Sequence, residues 1–143
     1  MEYTAYVSRE GRQWLAEFPD CPGCQTFTDS ADALPAAAKE ALEGWLEAHL
    51  VHGEAPPQPK THRRAPAGHK LARARIDPAL AVVLQIRWAR ATAGLTQAEL
   101  ARRAGVTQQQ VAKFERPGNP TVGTIEKLAR ALGVTLELSL VNA

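Results

Sequence analysis

The chain has 143 residues, of which 45% are hydrophobic and 22% charged, a composition that suits one or two small globular domains. Its longest apolar stretch is too short to span a bilayer, its first residues lack the basic and apolar regions of an export signal, and two cysteines make no disulfide framework. We therefore expect a cytoplasmic protein without a membrane partner.

The charge is unevenly distributed along the chain. Residues 1–54 carry 10 acidic and 3 basic side chains, whereas residues 55–75 carry 6 basic and no acidic ones. Residues 76–143 carry 8 basic and 5 acidic side chains. The asymmetry suggests two partners of opposite charge, and an unevenly charged solvated surface is the alternative.

The first part of the chain, residues 1–54, predicts a small α+β layer. Alternating apolar and polar positions, separated by turn residues, predict three strands over residues 3–8, 13–18 and 24–28. A helix follows, capped by Asp29 or Ser30 and running to about Leu50, because apolar side chains recur there at helical spacing.

Residues 55–76 predict a basic, proline-rich linker, since four prolines among basic residues favour an extended chain. Residues 69–76 could form a short strand within it. His62 and His69 are expected to be solvated there.

The last part of the chain, residues 77–143, predicts four helices and a final strand. Their signals are Asp77 before Pro78, two capping boxes that begin at Thr96 and Thr107, and a cap at Thr121. The helices are expected over residues 78–93, 97–104, 108–115 and 122–132. Strict alternation of apolar and polar residues predicts a strand over residues 134–141.

Two capped helices joined by a short turn at Gly105 predict a helix-turn-helix motif. In this motif the first residues of the second helix meet base edges in the major groove, and Gln108 and Gln109 stand there. A glutamine amide can donate to and accept from adenine at once. Lys113 can reach a phosphate or a guanine, and Gln97 can reach the DNA backbone. A helical bundle that binds no DNA would explain the apolar positions but not this polar group.

Residues 80–134 resemble the Cro/C1-type (XRE) family of helix-turn-helix domains. The resemblance is carried by the motifs GLTQAELA at 94–101, AGVTQ at 104–108 and NPT at 119–121, and by Arg90, Val111, Glu115, Leu128, Ala129, Ala131, Leu132 and Gly133. The resemblance implies a structural ion pair between Arg90 and Glu115. The residues expected to face DNA are Gln97, Thr107, Gln108, Gln109, Lys113, Arg116 and Asn119, the last two near phosphates.

The first helix of this domain carries a second apolar stripe, formed by Leu80, Leu84 and Trp88. We hypothesise a homodimer, or a higher homo-oligomer, in which the final strands pair across a two-fold axis and this stripe partly covers them. The two recognition helices would then reach half-sites about 34 Å apart.

Residues 2–59 look like the HicB antitoxin family. The matching positions are Tyr6, Trp14, Ala16, FPD at 18–20, PGC at 22–24, TDS at 28–30, Ala33, Ala37 and EAL at 40–42. The resemblance implies a partial RNase H-like fold and a HicA partner, a small RNA-cleaving toxin with a basic surface that would complement the acidic front of this chain. It assigns no toxin-contact residues.

An RNase H-type nuclease is the enzymatic alternative, and it would need several carboxylates gathered on metal ions. Asp20, Asp29 and Asp32 are the candidates, but the last two fall where a helix begins. We therefore expect no enzyme and no catalytic residue.

The motif Cys21-Pro22-Gly23-Cys24 raises a redox or zinc alternative. A redox pair usually opens a helix, whereas this pair precedes a strand, and zinc would need two further ligands such as His49 and His52. A packing role for both cysteines is the interpretation we adopt, with neither metal nor cofactor expected.

These observations predict an α+β domain of partial RNase H-like fold followed by an all-α Cro/C1-type domain that ends in a strand. The chain as a whole resembles a HicB antitoxin of a type II toxin-antitoxin system, which neutralises its toxin and represses its own operon by binding double-stranded operator DNA. The alternative is a stand-alone transcription regulator whose first domain binds another protein or a small ligand.

Overall fold

The computed structural model describes residues 1–142, and the chain divides into two compact units, Met1–Ala81 and Val82–Ala143. The elements are β1 (Glu2–Glu10), β2 (Gln13–Glu17), β3 (Gln25–Thr28), α1 (Leu34–Val51), β4 (Lys70–Arg75), α2 (Pro78–Thr92), α3 (Gln97–Ala104), α4 (Gln108–Phe114) and α5 (Val122–Ala131). The predicted fold class, an α+β unit followed by a helical one, is confirmed. Within the described residues, every helix is too short or too polar to cross a bilayer.

The first unit is an antiparallel sheet of four strands, in the order β3-β2-β1-β4, with α1 on one face. Paired residues of antiparallel strands share a face, so Ala5, Ala16 and Ala72 lie together on the side of the sheet that α1 covers. The helix contributes buried side chains four residues apart, among them Leu42 and Leu46. The opposite face of the sheet carries no helix of this unit.

The helix α1 begins later than the sequence predicts. Asp29 and Ser30 were expected to cap it, but its first residue is Leu34 and its N-cap position is Ala33. The Ser30 hydroxyl instead accepts hydrogen bonds from the backbone N–H groups of residues 32 and 33, at 3.2 and 3.4 Å, and orders a turn before the helix. With Pro35 in the first turn, where no N–H partner is required, the helix starts after that turn.

Residues 55–76, which the sequence predicts as a linker, belong to the first unit. Residues 70–75 form β4, which pairs with β1 from Val7↔Lys70 to Glu2↔Arg75. The predicted short strand is therefore present, as an edge of the sheet. The unit extends to Ala81 because this pairing binds the segment to the first strand of the chain.

The second unit contains the two predicted capping boxes. The Thr96 hydroxyl accepts the N–H of Glu99 at 3.1 Å, and the Glu99 carboxylate accepts the N–H of Thr96 at 3.2 Å. Thr107 and Gln110 repeat the arrangement at the start of α4. Between them Gly105 takes the left-handed conformation, with φ of 69°, which an L side chain rarely adopts. The local sequence therefore fixes both helix starts and the turn that joins them.

The predicted final strand is absent from the described part of the chain. Residues 134–142 have no strand assignment, and Leu138 and Leu140 are 70% and 104% exposed. An alternating pattern makes a strand only when a second strand supplies hydrogen bonds, and within the single chain none does so for this segment. We call residues 134–142 the tail.

The second apolar stripe is buried already in the single chain. Leu80, Leu84 and Trp88 are 6%, 0% and 9% exposed. The hypothesis that this stripe covers the paired tails of two copies is therefore wrong, because its side chains are not available to another molecule.

Candidate nucleic-acid interface

The helix α4 presents polar side chains to solvent and anchors itself by apolar ones. Gln108, Gln109 and Lys113 are exposed, whereas Val111 and Phe114 are buried. A short helix held in this way can present its first turn to a groove without losing its packing. The exposed amides and the cation are the groups suited to base edges and phosphates.

Three glutamines form the first turn of α4, and the side chain of the third has a different role from the other two. The side chain of Gln110 turns back and accepts the N–H of Thr107 at 2.8 Å, while the Thr107 hydroxyl accepts the N–H of Gln110 at 3.1 Å. Gln110 is thereby occupied in fixing the helix start. Gln108 and Gln109, which the sequence predicts to read bases, have exposed side chains.

A buried ion pair connects α2 to the end of α4. Glu115 is 4% exposed, and the Arg90 guanidinium donates from Nε and Nη2 to its two oxygens at 2.5 and 2.8 Å. Nη1 of Arg90 donates to the carbonyl of Leu95 at 2.8 Å. Two parallel hydrogen bonds between planar groups fix orientation as well as distance. The pair, expected from the family resemblance, holds the end of α4 against α2.

Glu115 has two further partners. The amide of Gln97 donates to Oε2 at 3.0 Å, and Nε of Arg87 lies 3.8 Å from the same oxygen. Burial lowers the pKa of Arg87, neighbouring Arg90 lowers it further, and Glu115 opposes both. Sequence reasoning missed Arg87, although its position three residues before Arg90 places both on one face of α2. Gln97, predicted to contact DNA, is thus linked to the carboxylate that holds α4.

A depression of about 300 Å³ lies between α4 and α5. Lys113, Arg116 and Lys127 line it together with Asn119, so three cations surround one concave surface. The N-terminus of α5, capped by Thr121, opens beside it and adds the positive end of a helix dipole. Of these residues, sequence reasoning missed Lys127, which the positive charge on the surface of α5 could have indicated. Val106, Val111 and Phe114 give the depression an apolar part as well, so it is the cations and the helix end that suit phosphate oxygens.

In the first unit, Asp20 anchors residues 57–62, which we call the strap. Asp20 is 7% exposed, its Oδ2 accepts the backbone N–H of Lys60 at 2.9 Å, and its Oδ1 lies 2.9 Å from Nε2 of His62. Nδ1 of His62 lies 3.2 Å from the hydroxyl of Tyr6. The Tyr3 hydroxyl donates to the carbonyl at position 57, at 2.9 Å. The expectation that His62 is solvated is therefore wrong.

The carboxylates proposed for nuclease chemistry do not converge. Both oxygens of Asp20 are bonded to the strap, whereas Asp29 and Asp32 are exposed after β3. Nowhere in residues 1–142 do three or more His, Cys, Asp or Glu side chains gather in a way that could hold a metal ion. The arrangement gives Asp20 a structural role.

The two cysteines are buried free thiols. Cys21 and Cys24 are 0% and 4% exposed, and burial raises their pKa values to about 12 and about 11. A redox or metal-binding cysteine works as the thiolate and has a lowered pKa, so these environments favour a packing role. Of the two histidines considered as zinc ligands, His49 stacks on Trp45 with ring centroids 3.8 Å apart, and His52 is exposed.

Two family models match the chain, one for each unit. Residues 3–83 match the HicB-like antitoxin of bacterial toxin-antitoxin systems. Residues 86–138 match a helix-turn-helix family. The boundary between the two matches lies close to that between the two compact units.

Among curated proteins, Antitoxin HicB 1 of Photorhabdus laumondii is 30% identical over 130 residues, covering 89% of this chain and 78% of that protein. An uncharacterized HTH-type transcriptional regulator of Sinorhizobium fredii is 51% identical over 43 residues, 29% of this chain and 56% of the regulator. A chain of a solved HicA3 and HicB3 toxin-antitoxin complex is 27% identical, with a TM-score of 0.49 over 55% of this chain and 100% of that one. The antitoxin family model spans more than half of the chain, and this chain therefore belongs to the HicB-like antitoxins of bacterial toxin-antitoxin systems, with a helix-turn-helix domain following the antitoxin domain.

Proposed function

We propose that this chain neutralises an RNA-cleaving toxin of HicA type by direct binding and represses its own operon by binding operator DNA. The observation that carries the proposal is that one chain contains both an antitoxin domain and a DNA-binding domain. An antitoxin unit of matched family precedes a helix-turn-helix whose capped second helix exposes Gln108 and Gln109. Both partners act where RNA and operator DNA are found, so we place the protein in the cytoplasm.

The toxin half of the proposal is supported by charge. Residues 1–54 carry 10 acidic side chains against 3 basic ones, and a toxin that cleaves RNA needs a basic surface to bind it. Opposite charges accelerate association and favour a fixed orientation of the two partners. An acidic antitoxin on that surface would exclude the RNA.

The DNA half of the proposal is supported by the polar side chains on and beside α4. Exposed amides lie on its first turn, and cations line the depression next to it. We assign base reading to Gln108 and Gln109, and phosphate contacts to Lys113, Arg116 and Asn119 in and around the depression. We further assign Thr107 and Gln97 to the DNA side of the motif, at the starts of α4 and α3. In the first turn of each helix, the N–H groups that the capping box does not engage favour phosphate.

We propose that the protein is not an enzyme and needs no cofactor. Asp20, the buried one among the three carboxylates considered for nuclease chemistry, is bonded through both oxygens to the strap. The thiols of Cys21 and Cys24 have raised pKa values, which disfavours the nucleophilic thiolate.

We propose that the operator-binding form is a dimer in which the tails of two copies pair. Leu136, Leu138 and Leu140 alternate with polar residues, and the tail lacks a strand partner within its own chain. Sedimentation equilibrium should give at least twice the chain mass of 15.5 kDa, and truncation after residue 133 should give the monomer. A monomeric mass for the full chain at high concentration contradicts the pairing.

A stand-alone transcription regulator is the second candidate, because the helix-turn-helix region matches an HTH-type regulator of Sinorhizobium fredii at 51% identity. In that case the first unit would bind another protein or a small ligand. Growth rescue of cells that express the neighbouring open reading frame distinguishes the two candidates, since only an antitoxin restores growth.

Replacing Gln108 or Gln109 with alanine should reduce discrimination between operator and nonspecific duplex by about 1–3 kcal/mol each, because each loses a bidentate contact to a base. The measurement is fluorescence anisotropy with the DNA upstream of the gene and with a scrambled duplex at one salt concentration.

The contrasting variant is Gln110→Ala. It removes the capping contact to Thr107 and should lower the stability of the domain while leaving discrimination unchanged. If Gln108→Ala and Gln109→Ala both discriminate as the wild type does, the assignment of these residues to base reading is wrong.

A further inference from the structure

The two edges of the sheet in the first unit have different chemistry. At one edge, β4 carries Lys70, Arg73 and Arg75, and the two arginines lie 3.7 and 2.9 Å from the carboxylate of Glu2. Charged side chains on an edge strand hinder the addition of another strand. At the other edge, β3 has the sequence QTFT, with neither a charged residue nor a proline. The edge of β3 is therefore the one open to strand addition.

The β3 edge also exposes an aromatic side chain. Phe27 is 46% exposed, and among the described residues it is the one aromatic side chain with such large exposure of an apolar surface. It pairs across the strands with Leu15, which is 7% exposed, on the face opposite α1. Partly exposed aromatic residues beside a buried apolar neighbour are typical anchors of protein interfaces.

The charge around this edge is mainly negative. Residues 13–38, which include β2, β3 and the start of α1, contain four carboxylates and no lysine, arginine or histidine. Asp29 and Asp32 directly follow β3 and are exposed. The nearest cation from a neighbouring strand is Arg9, which lies over Trp14, the partner of Thr28. The charged side chains directly after β3 are acidic, so a basic protein suits this edge better than an acidic one.

We infer that the free edge of β3, centred on Phe27, is the surface on which the basic toxin docks, by adding a strand to the sheet. The inference rests on the proposed antitoxin function and names the surface that carries it. Backbone hydrogen bonds along β3 would supply affinity, Phe27 would enter an apolar pocket of the toxin, and Asp29 and Asp32 would face its basic side chains.

A second copy of this chain is the other conceivable occupant of the edge. Pairing of β3 with β3 would bring together two units in each of which residues 1–54 carry 10 acidic and 3 basic side chains. Units of the same net charge repel each other, whereas a basic partner is attracted. The charge therefore favours the toxin.

The test compares one substitution at each edge of the sheet. Phe27→Asp is placed on β3, and Leu71→Asp is its matched control, because Leu71 is 39% exposed and lies on the same sheet face in the opposite edge strand. Both variants of the full chain are titrated with the purified product of the small open reading frame beside the gene. Phe27→Asp should weaken binding by at least about tenfold, and Leu71→Asp should leave it unchanged.

Two controls keep the comparison interpretable. Operator affinity and thermal unfolding show whether each chain is folded, and Phe27→Ala, a milder change, should weaken toxin binding in the same direction. Sedimentation of Phe27→Asp reports self-pairing, because a lower mass than that of the wild type would assign the edge to a second copy and overturn the inference.

The remaining outcomes separate the inference from the proposed function. If the wild type binds the toxin and Phe27→Asp binds equally well, or if Leu71→Asp loses as much affinity, the docking surface is wrong while the antitoxin function stands. If the wild type itself does not bind the toxin, both are overturned.

Discussion

Replacing Glu115 with alanine should lower the free energy of unfolding of the second unit by about 3–5 kcal/mol, the range for breaking a buried ion pair by removing one partner. The substitution leaves the guanidinium of Arg90, whose side chain is 12% exposed, without its carboxylate. It also removes the negative charge beside Arg87, 13% exposed, and the acceptor of the Gln97 amide. Both arginines would then lose the carboxylate that they share, in a poorly solvated region.

Chemical denaturation of wild type and variant, followed by circular dichroism, measures the effect. The matched control is Glu126→Ala, which removes a carboxylate 2.8 Å from Arg130 in an exposed pair four residues apart on α5. Such pairs contribute about 0.3–0.5 kcal/mol. If Glu115→Ala costs no more than this control, the pair with Arg90 does not hold the domain together and the account of α4 positioning is wrong.

Replacing Asp20 with alanine should release the strap and lower the free energy of unfolding of the first unit by about 3–6 kcal/mol. Hydrogen bonds to a charged group contribute about 1.5–3 kcal/mol each, and Asp20 accepts one from the Lys60 backbone and one from His62. The side chain is 3% exposed, so solvent cannot replace these partners without local opening. Asp20→Asn keeps the shape and one acceptor oxygen, and should lose less.

Limited trypsin digestion reads out the strap directly, because the segment around it contains Lys60, Arg63 and Arg64. Cleavage in this segment should be faster in Asp20→Ala than in the wild type. The control is Asp32→Ala, which removes an exposed carboxylate of the same unit and should leave the rate unchanged. Equal cleavage of all three chains would show that Asp20 does not anchor the strap.

The features of the DNA-binding unit that were predicted correctly are local ones. The capping boxes at Thr96 and Thr107 involve residues three positions apart, and Gly105 takes the positive φ that the turn between two helices requires. Such signals depend on a few neighbouring residues, so they are legible in the sequence. The partner of Arg90, 25 residues away, was indicated by family resemblance and not by any local pattern.

The features that the sequence did not indicate depend on distant contacts. The strap was interpreted as a solvated linker because prolines and basic residues favour extended chain. The strap is anchored by Tyr3, Tyr6 and Asp20, which lie between 40 and 56 positions earlier in the chain. The spacing of apolar and polar residues within a segment cannot predict contacts at such a separation. The prolines correctly predict an extended segment without helix or strand, but they do not predict which part of the protein it packs against.

The tail shows the opposite limitation. Its alternation of apolar and polar residues is a property of a strand, but a strand also needs a partner for its backbone groups. Within one chain the tail finds none, so Leu138 and Leu140 remain exposed. A sequence pattern states which conformation a segment can use, and the available partners decide whether that conformation becomes a strand.

The measurement that tests the antitoxin function most directly is co-expression of this chain with the small open reading frame beside its gene, scored by growth and by co-purification. The account predicts that the neighbour alone stops growth, that this chain restores it, and that the two proteins purify as one complex. A harmless neighbour, or one that this chain neither binds nor neutralises, would contradict the antitoxin function and leave the helix-turn-helix as the basis of a stand-alone regulator.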